Sequence, residues 1–272
     1  LGIMTANAES QIFKKKKKKN NISTEQTDSV KKDSAANYKK LLKGAKTTEG
    51  MFKIHQVKDK YYFEIPKKLM TRDFMISSRV SSTSNNKDVA AGQMPRNPVV
   101  VTFSADNKKV YMHRKMLRNL CDTTSNMYKA FQRNYSDPIW EAYKIESISP
   151  DSSAYVIDMT PLFITDVPEF SPFRSGNIMD VLMKRKPLSG SLSSAKSAIL
   201  GIKCFPLNIN IKSLMSYTVN GGPFTVTMTR NIILLPEKTM RPRYSDSRIG
   251  YFDENKYLFT EKQDGLQELS YI

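Results

Sequence analysis

The chain is poor in the side chains that hold metals and form cross-links: 272 residues contain two histidines and two cysteines. Neither His55 nor His113 has a second His or a Glu at the three- or four-residue spacing that places two ligands on one helical turn, so the usual helical zinc motif is excluded. Both sit in strand-like segments beside charged or polar neighbours, which predicts half-exposed strand histidines. Cys121 and Cys204 lie 83 positions apart and form no CxxC pair. They could pair in an exported protein, or be two unrelated buried thiols. There is no Walker loop, no dinucleotide-type glycine fingerprint and no GxSxG elbow. No apolar run approaches the roughly 18 residues a membrane span requires.

What is abundant is positive charge. Lys and Arg total 43 against 26 Asp and Glu, a net charge of +17. Fifteen of the basic and six of the acidic residues fall within the first sixty, so over half the excess sits on less than a quarter of the chain. Nucleic-acid domains distribute basic residues over a folded face among aromatic or amide side chains. The run Lys14–Lys19 lacks such partners. It reads as a solvated, self-repelling tether with at most salt-sensitive attraction to anionic surfaces. Just before it, Ala6-Asn7-Ala8 has the form of a signal-peptidase site with cleavage before Glu9. The expected organisation is therefore the end of a signal peptide at 1–8 and a disordered Lys-rich tether at 9–33. A small helix-plus-hairpin domain at 34–97 and a larger antiparallel β domain at 98–272 follow.

The folded part opens with a helix that Asp33 or Ser34 would cap, with Tyr38, Leu41 and Leu42 on one face and Gly44 after its last turn. The period then becomes two. Phe52 and Ile54 alternate with Lys53 and His55, a Lys-Asp-Lys turn follows, and Tyr61, Phe63 and Ile65 return on one face, which predicts a hairpin. Phe74–Ser81 reads as a strand. Hairpins are expected around Asp106-Asn107 and Pro150-Asp151, and the clearest turns at Asn220-Gly221-Gly222, where positive φ is needed. Ser125–Arg133 is a candidate short helix. Residues 164–197 form a long connection, with one or two helical turns near Ile178–Met183. About ten strands joined mostly as hairpins give a mainly β fold, α+β at its margins, with antiparallel sheets in a sandwich-like or layered arrangement and a few short helices.

The segment Leu234–Phe252 has the most unusual composition. Arg241, Arg243 and Arg248 accompany Asp246, two prolines hold the backbone extended, and Gly250 precedes Tyr251 and Phe252. Guanidinium forks pair carboxylates bidentately and large rings anchor in pockets, so these six (Arg241, Arg243, Asp246, Arg248, Tyr251 and Phe252) are the candidate contact residues, with a structural connector as the competing reading.

The stretches "GMFKIHQVKDKYYFEIP", "VIDMTPLF", "IILLPEK" and "MRPRYSDSRIGYF" resemble, in this order, the N-terminal region of a family of exported bacterial zinc-dependent metalloproteases of metzincin type. That region is catalogued as two successive domains of unknown function. The resemblance implies a catalytic domain beyond the PRxxDxRxGYF motif, with an HExxHxxGxxH helix supplying three zinc ligands and a glutamate base. No residue here matches that helix, so no catalytic or metal residue is assigned. The resemblance implies a non-catalytic region that shields, folds or positions substrate for its own C-terminal protease domain. Zinc belongs to the full-length protein, the address is periplasmic, outer-membrane-associated or extracellular, and the six candidates stand at the junction. A secreted β-rich module that binds a glycan or surface protein is the alternative from a different class. Nucleic acid is not an expected partner.

Overall fold

The structure, a computed structural model, describes residues 35–272 apart from Asp88, Asn177, Arg185, Ser247, Tyr251, Asp253, 262–265 and Ile272. The signal-like step, the lysine run and the two proposed helix caps lie outside the described residues. A helix, α1 (35–41), ends as its sequence predicts: Leu42 N–H donates to the Tyr38 carbonyl, and Gly44 adopts φ 74°. A left-handed residue after the last turn is where glycine carries no Cβ penalty.

Among the described residues, twelve strands form one sheet. The first hairpin is β1 (Lys46–Thr48), β2 (Lys53–Val57) and β3 (Lys60–Pro66), and β4 (Phe74–Thr83) follows. Next come β5 (Val99–Ala105), β6 (Lys109–Arg114), β8 (Ile139–Ile148) and β9 (Ala154–Asp158), while β7 (Asn119–Cys121), between β6 and β8 in the chain, stays outside this sheet. The second half supplies β10 (Ser191–Leu192), β11 (Ala198–Cys204), β12 (Asn208–Val219) and β13 (Gly222–Leu234). The sheet order is β1-β2-β3-β9-β8-β6-β5-β4-β13-β12-β10, with β11 also pairing β12. Every pairing in it is antiparallel.

The hairpin turns follow local chemistry. Val219 pairs with Gly222 around Asn220 (φ 48°) and Gly221 (φ 79°), the two positive φ values that match a hairpin's right-handed twist. At the β5–β6 turn, Asp106 Oδ1 accepts from the backbone N–H of Lys108 and Lys109 at 2.6 Å each.

The two ends of the sheet meet. β1 runs alongside β11, with a gap of about 270 Å³ between them lined by Lys46, Thr48, Ile199 and Gly201. Beside this seam Met51 N–H donates to the Phe205 carbonyl at 2.8 Å, so the sheet is a nearly closed barrel rather than a two-sheet sandwich. Gly50 makes that approach possible: a Cβ there would lie 2.8 Å from the Phe205 carbonyl and from Cys204 Sγ.

One face of each strand looks inward. Phe63, Phe74, Val101, Met112, Ile157 and Ile211 join a single core, each 0% exposed. The connection after β9 folds against this inner face instead of looping over the surface. It carries α3 (Thr160–Ile164) and a single 3-10 turn at Pro168–Phe170. Phe163 stacks on Phe63 with centroids 6.0 Å apart, and Phe170 meets Trp140 edge-on at 5.4 Å. Fully burying rings of this size contributes roughly 2–3 kcal/mol each.

One interior position is a cation. Arg230 on β13 is 1% exposed; its Nη1 donates to the Phe163 carbonyl at 3.1 Å, and its guanidinium stands 5.7 Å from the Phe170 ring. Phe163 lies in the last turn of α3, whose carbonyls lack intrahelical partners, so the arginine satisfies one of them. Among the described residues no carboxylate forms a salt bridge with it. Desolvation pulls its pKa down to about 10, partly offset by Tyr217.

Candidate functional site

The arginine-rich segment leaves the barrel at the end of β13. Arg72 holds the exit through Nη2 on the Leu235 carbonyl at 2.8 Å and Nη1 on Glu237 at 2.7 Å. Beyond it lies a second, three-stranded sheet that the alternation pattern did not reveal. β14 (Glu254–Phe259) and β15 (Leu266–Tyr271) are antiparallel, and β7 adds in parallel beside β14. Its anchor is aromatic: the helix α2 (Tyr128–Asn134) and Tyr135, just after it, bring Phe131 and Tyr135 to 5.4 and 4.9 Å from Phe259.

The segment from Met240 runs along the edge of this small sheet. Tyr244 bridges Tyr271, their rings 5.3 Å apart, and Ser245 N–H donates to the Ser270 carbonyl. A tight turn follows, closed by Ile249 N–H on the Asp246 carbonyl. Within it Arg248 grips Asp246 with a fork: Nε to Oδ1 at 2.9 Å, Nη2 to Oδ2 at 2.5 Å, and the backbone N–H also to Oδ1. That fork, and then the backbone N–H, hold the Asp246 carboxyl at a pKa of about 2.

Of the six candidates, the structure therefore brings together Asp246 and Arg248. Arg241 and Arg243 are exposed and form no salt bridge among the described residues. Phe252 is 105% exposed, with Met240 at 75% and Ile249 at 53%. Tyr251 lies outside the described residues. Among the described residues the result is a strip fixed at one turn, with two guanidinium groups outside any salt bridge and a fully exposed ring.

A second constellation was not anticipated. His55 is not half-exposed; it is 4% exposed, because α1 covers the outer face of β2 and β3 that the alternation had assigned to solvent. Its Nε2 lies 3.0 Å from Glu64 Oε2, and the same oxygen accepts the Tyr38 hydroxyl at 2.6 Å. Thr47 Oγ1 stands 2.8 Å from Nδ1. Burial alone would raise the Glu64 pKa, yet the bonds from His55 and Tyr38 outweigh it and hold the carboxyl below its ordinary value. An ionised carboxylate only accepts, so His55 Nε2 is the donor. Tyr38 is pushed up in turn by burial and by Glu64.

Hydroxyl, imidazole and carboxylate in a row match the connectivity of a nucleophilic triad. The placement does not match one. The adjoining cleft of about 790 Å³ is lined by Tyr38, Lys53, Glu64, Lys67 and Asp151, while neither Thr47 nor His55 opens into it. The set acts as a clamp that holds α1 to the barrel. His113 is half-buried as predicted, with Ser104 Oγ at 2.7 Å from Nε2. Cys121 and Cys204 are both free thiols, Cys204 donating to the Phe52 carbonyl at 3.2 Å. Among the described residues no group of three or more His, Cys, Asp or Glu side chains is placed to hold a metal ion.

These features define a mainly antiparallel β protein of nearly closed barrel form with an appended small sheet. Residues 92–272 match the family described as Domain of unknown function (DUF5117), and the chain belongs to it. Residues 35–83 match a second, Domain of unknown function (DUF5118). The two matched segments share one sheet: β4 of the 35–83 segment pairs with β5 and β13 of the 92–272 segment. No curated protein and no solved structure matches the chain.

Proposed function

We propose that this chain is a non-catalytic accessory region that docks a folded partner through the strip at Met240–Phe252. The supporting observation is the combination of Phe252, fully exposed, with Arg241 and Arg243 held open beside a turn fixed by Asp246 and Arg248. Exposed arginines and aromatic rings are the side chains that dominate binding energy once buried at an interface. The partner is the catalytic domain of an exported zinc-dependent metalloprotease of metzincin type, as the motif resemblance implies, and the barrel shields, folds or positions peptide substrate beside it. Zinc and its ligands belong to that catalytic domain.

The test is expression of the complete reading frame with and without Arg243→Ala and Phe252→Ala, followed by zinc analysis and peptide turnover. One zinc ion per chain and turnover reduced at least ten-fold in the variants support the reading. A complete product without zinc, or variants with unaltered turnover, would remove it.

A further inference from the structure

The connection between Arg174 and Pro187 contains a short helix, α4 (Ile178–Leu182), built the wrong way round for a globular protein. Its inward side chain is a carboxylate: Asp180 is 5% exposed and held by both Nη atoms of Arg174 at 2.5 and 2.6 Å. Its outward side chains are aliphatic. Ile178, Val181 and Leu182, at the i, i+3, i+4 spacing of one helical face, are 80%, 77% and 71% exposed, and Met183 follows at 53%. Helices on monomeric proteins bury such a face, and an apolar prow of this kind marks an interaction site. The ion pair fixes its direction, since turning the aliphatic face inward would swing Asp180 out to solvent and break its bonds with Arg174.

The neighbouring charges decide what covers it. The turn after the helix ends at Lys184, which takes φ 51°, and Lys184 and Lys186 are both exposed. The chain carries a net charge of +17. A second copy would bring like charges together, and the N-terminal lysine run is repelled for the same reason. Protein interfaces concentrate aromatic side chains and arginine and deplete lysine. Exposed aliphatic side chains rimmed by lysines instead match a segment that sinks into the boundary between lipid headgroups and acyl chains. We propose that α4 and the lysines after it dock the protein onto an anionic lipid surface. The aliphatic side chains enter the acyl boundary, and Lys184 and Lys186 pair with headgroup phosphates.

The test uses the full chain and vesicles of phosphatidylcholine with or without phosphatidylglycerol, sedimented at physiological and at high salt. The lysine run is expected to attract anionic vesicles too, but that attraction is screened by salt, so the salt-resistant fraction reports α4. Ile178→Ser with Leu182→Ser is expected to lower the partition coefficient about ten-fold or more and to abolish the salt-resistant fraction. Lys184→Ser with Lys186→Ser is expected to lower it about five-fold per lysine at physiological salt. Because all four side chains are exposed, circular dichroism and melting temperature should be unchanged in both variants. In a Val181→Trp chain, whose only other tryptophan is Trp140, emission should shift to the blue on anionic vesicles. An unshifted Val181→Trp signal, or a serine double variant that binds as tightly as the parent at high salt, overturns the proposal. Binding of the apolar face to an acidic protein with no affinity for vesicles overturns it too.

Discussion

His55 and Glu64, nine positions apart on antiparallel strands, share a buried hydrogen bond of 3.0 Å beneath α1, and Tyr38 closes over the same carboxylate oxygen at 2.6 Å. The sequence had placed both strand residues on a solvent face. Their burial turns an ordinary hairpin exterior into the mount for a helix.

Because Glu64 is the shared acceptor, Glu64→Ala should cost about 3 kcal/mol, typical of breaking a buried charged pair. Its folded pKa lies below its ordinary value, so the folded state binds fewer protons than the unfolded one and the stabilisation is present above pH about 4.5. It is lost as pH falls through the lowered folded pKa. Chemical denaturation at pH 7 and again at low pH should show the gap between parent and variant narrowing on the acid side. A constant gap would mean that Glu64 is not ionised in the fold.

Arg230 gives a different signature. Arg230→Ala leaves a void and an orphaned Phe163 carbonyl, and should cost about 3 kcal/mol. Arg230→Met fills similar volume and removes the burial of a charge that has no carboxylate partner among the described residues, so it should cost less, by about 1–2 kcal/mol. Urea titrations of the two variants decide the ordering. Equal losses would show that the guanidinium's bond to Phe163 outweighs both volume and charge.

Two glycines separate backbone strain from crowding. At Gly221 a Cβ meets nothing within 4 Å, yet φ is 79°, so Gly221→Ala should cost about 1 kcal/mol through the backbone alone. At Gly50 the new Cβ would press against the Phe205 carbonyl at 2.8 Å, where the barrel closes. Gly50→Ala should therefore be the more damaging, and amide exchange should accelerate at Met51, the donor across the seam, while remaining unchanged at the 220–222 turn.

For the strip, Arg248→Ala should free the Asp246 carboxyl, whose pKa should rise from about 2 toward the ordinary carboxylate range, as read by carboxyl NMR titration. The fork is solvent-exposed, so the melting temperature should not move measurably. A large drop in melting temperature would show that the turn is a structural keystone instead of a contact surface.

Much of the barrel was legible because its strands are half-buried and joined by short turns. The alternation of Ile209, Ile211, Met215 and Tyr217, and the positive-φ pair Asn220-Gly221, predict the longest hairpin, and the structure pairs it from Asn208–Ile233 to Val219–Gly222. The short edge strands β1 and β10 and the small sheet of β7, β14 and β15 escaped notice. Two or three residues carry no period, and β7 joins β14 across more than 130 positions. Of the candidate site, composition singled out Asp246 and Arg248 as contact residues, and the structure adds that they pair with each other within three residues. The Tyr38–Glu64–His55 set did not, because it needs a helix and two strands to converge.

Sequence by itself determined which of the longer alternating segments become strands, where their hairpins turn, and that positive charge dominates, since side-chain periodicity, φ preference and ionisation are properties of neighbouring residues. Only the tertiary structure decided that the sheet curls until β1 faces β11, that α1 buries an imidazole against a carboxylate, and that α4 points its aliphatic face outward. Those outcomes depend on which surfaces compete for burial in three dimensions, and that competition is settled between residues tens to hundreds of positions apart.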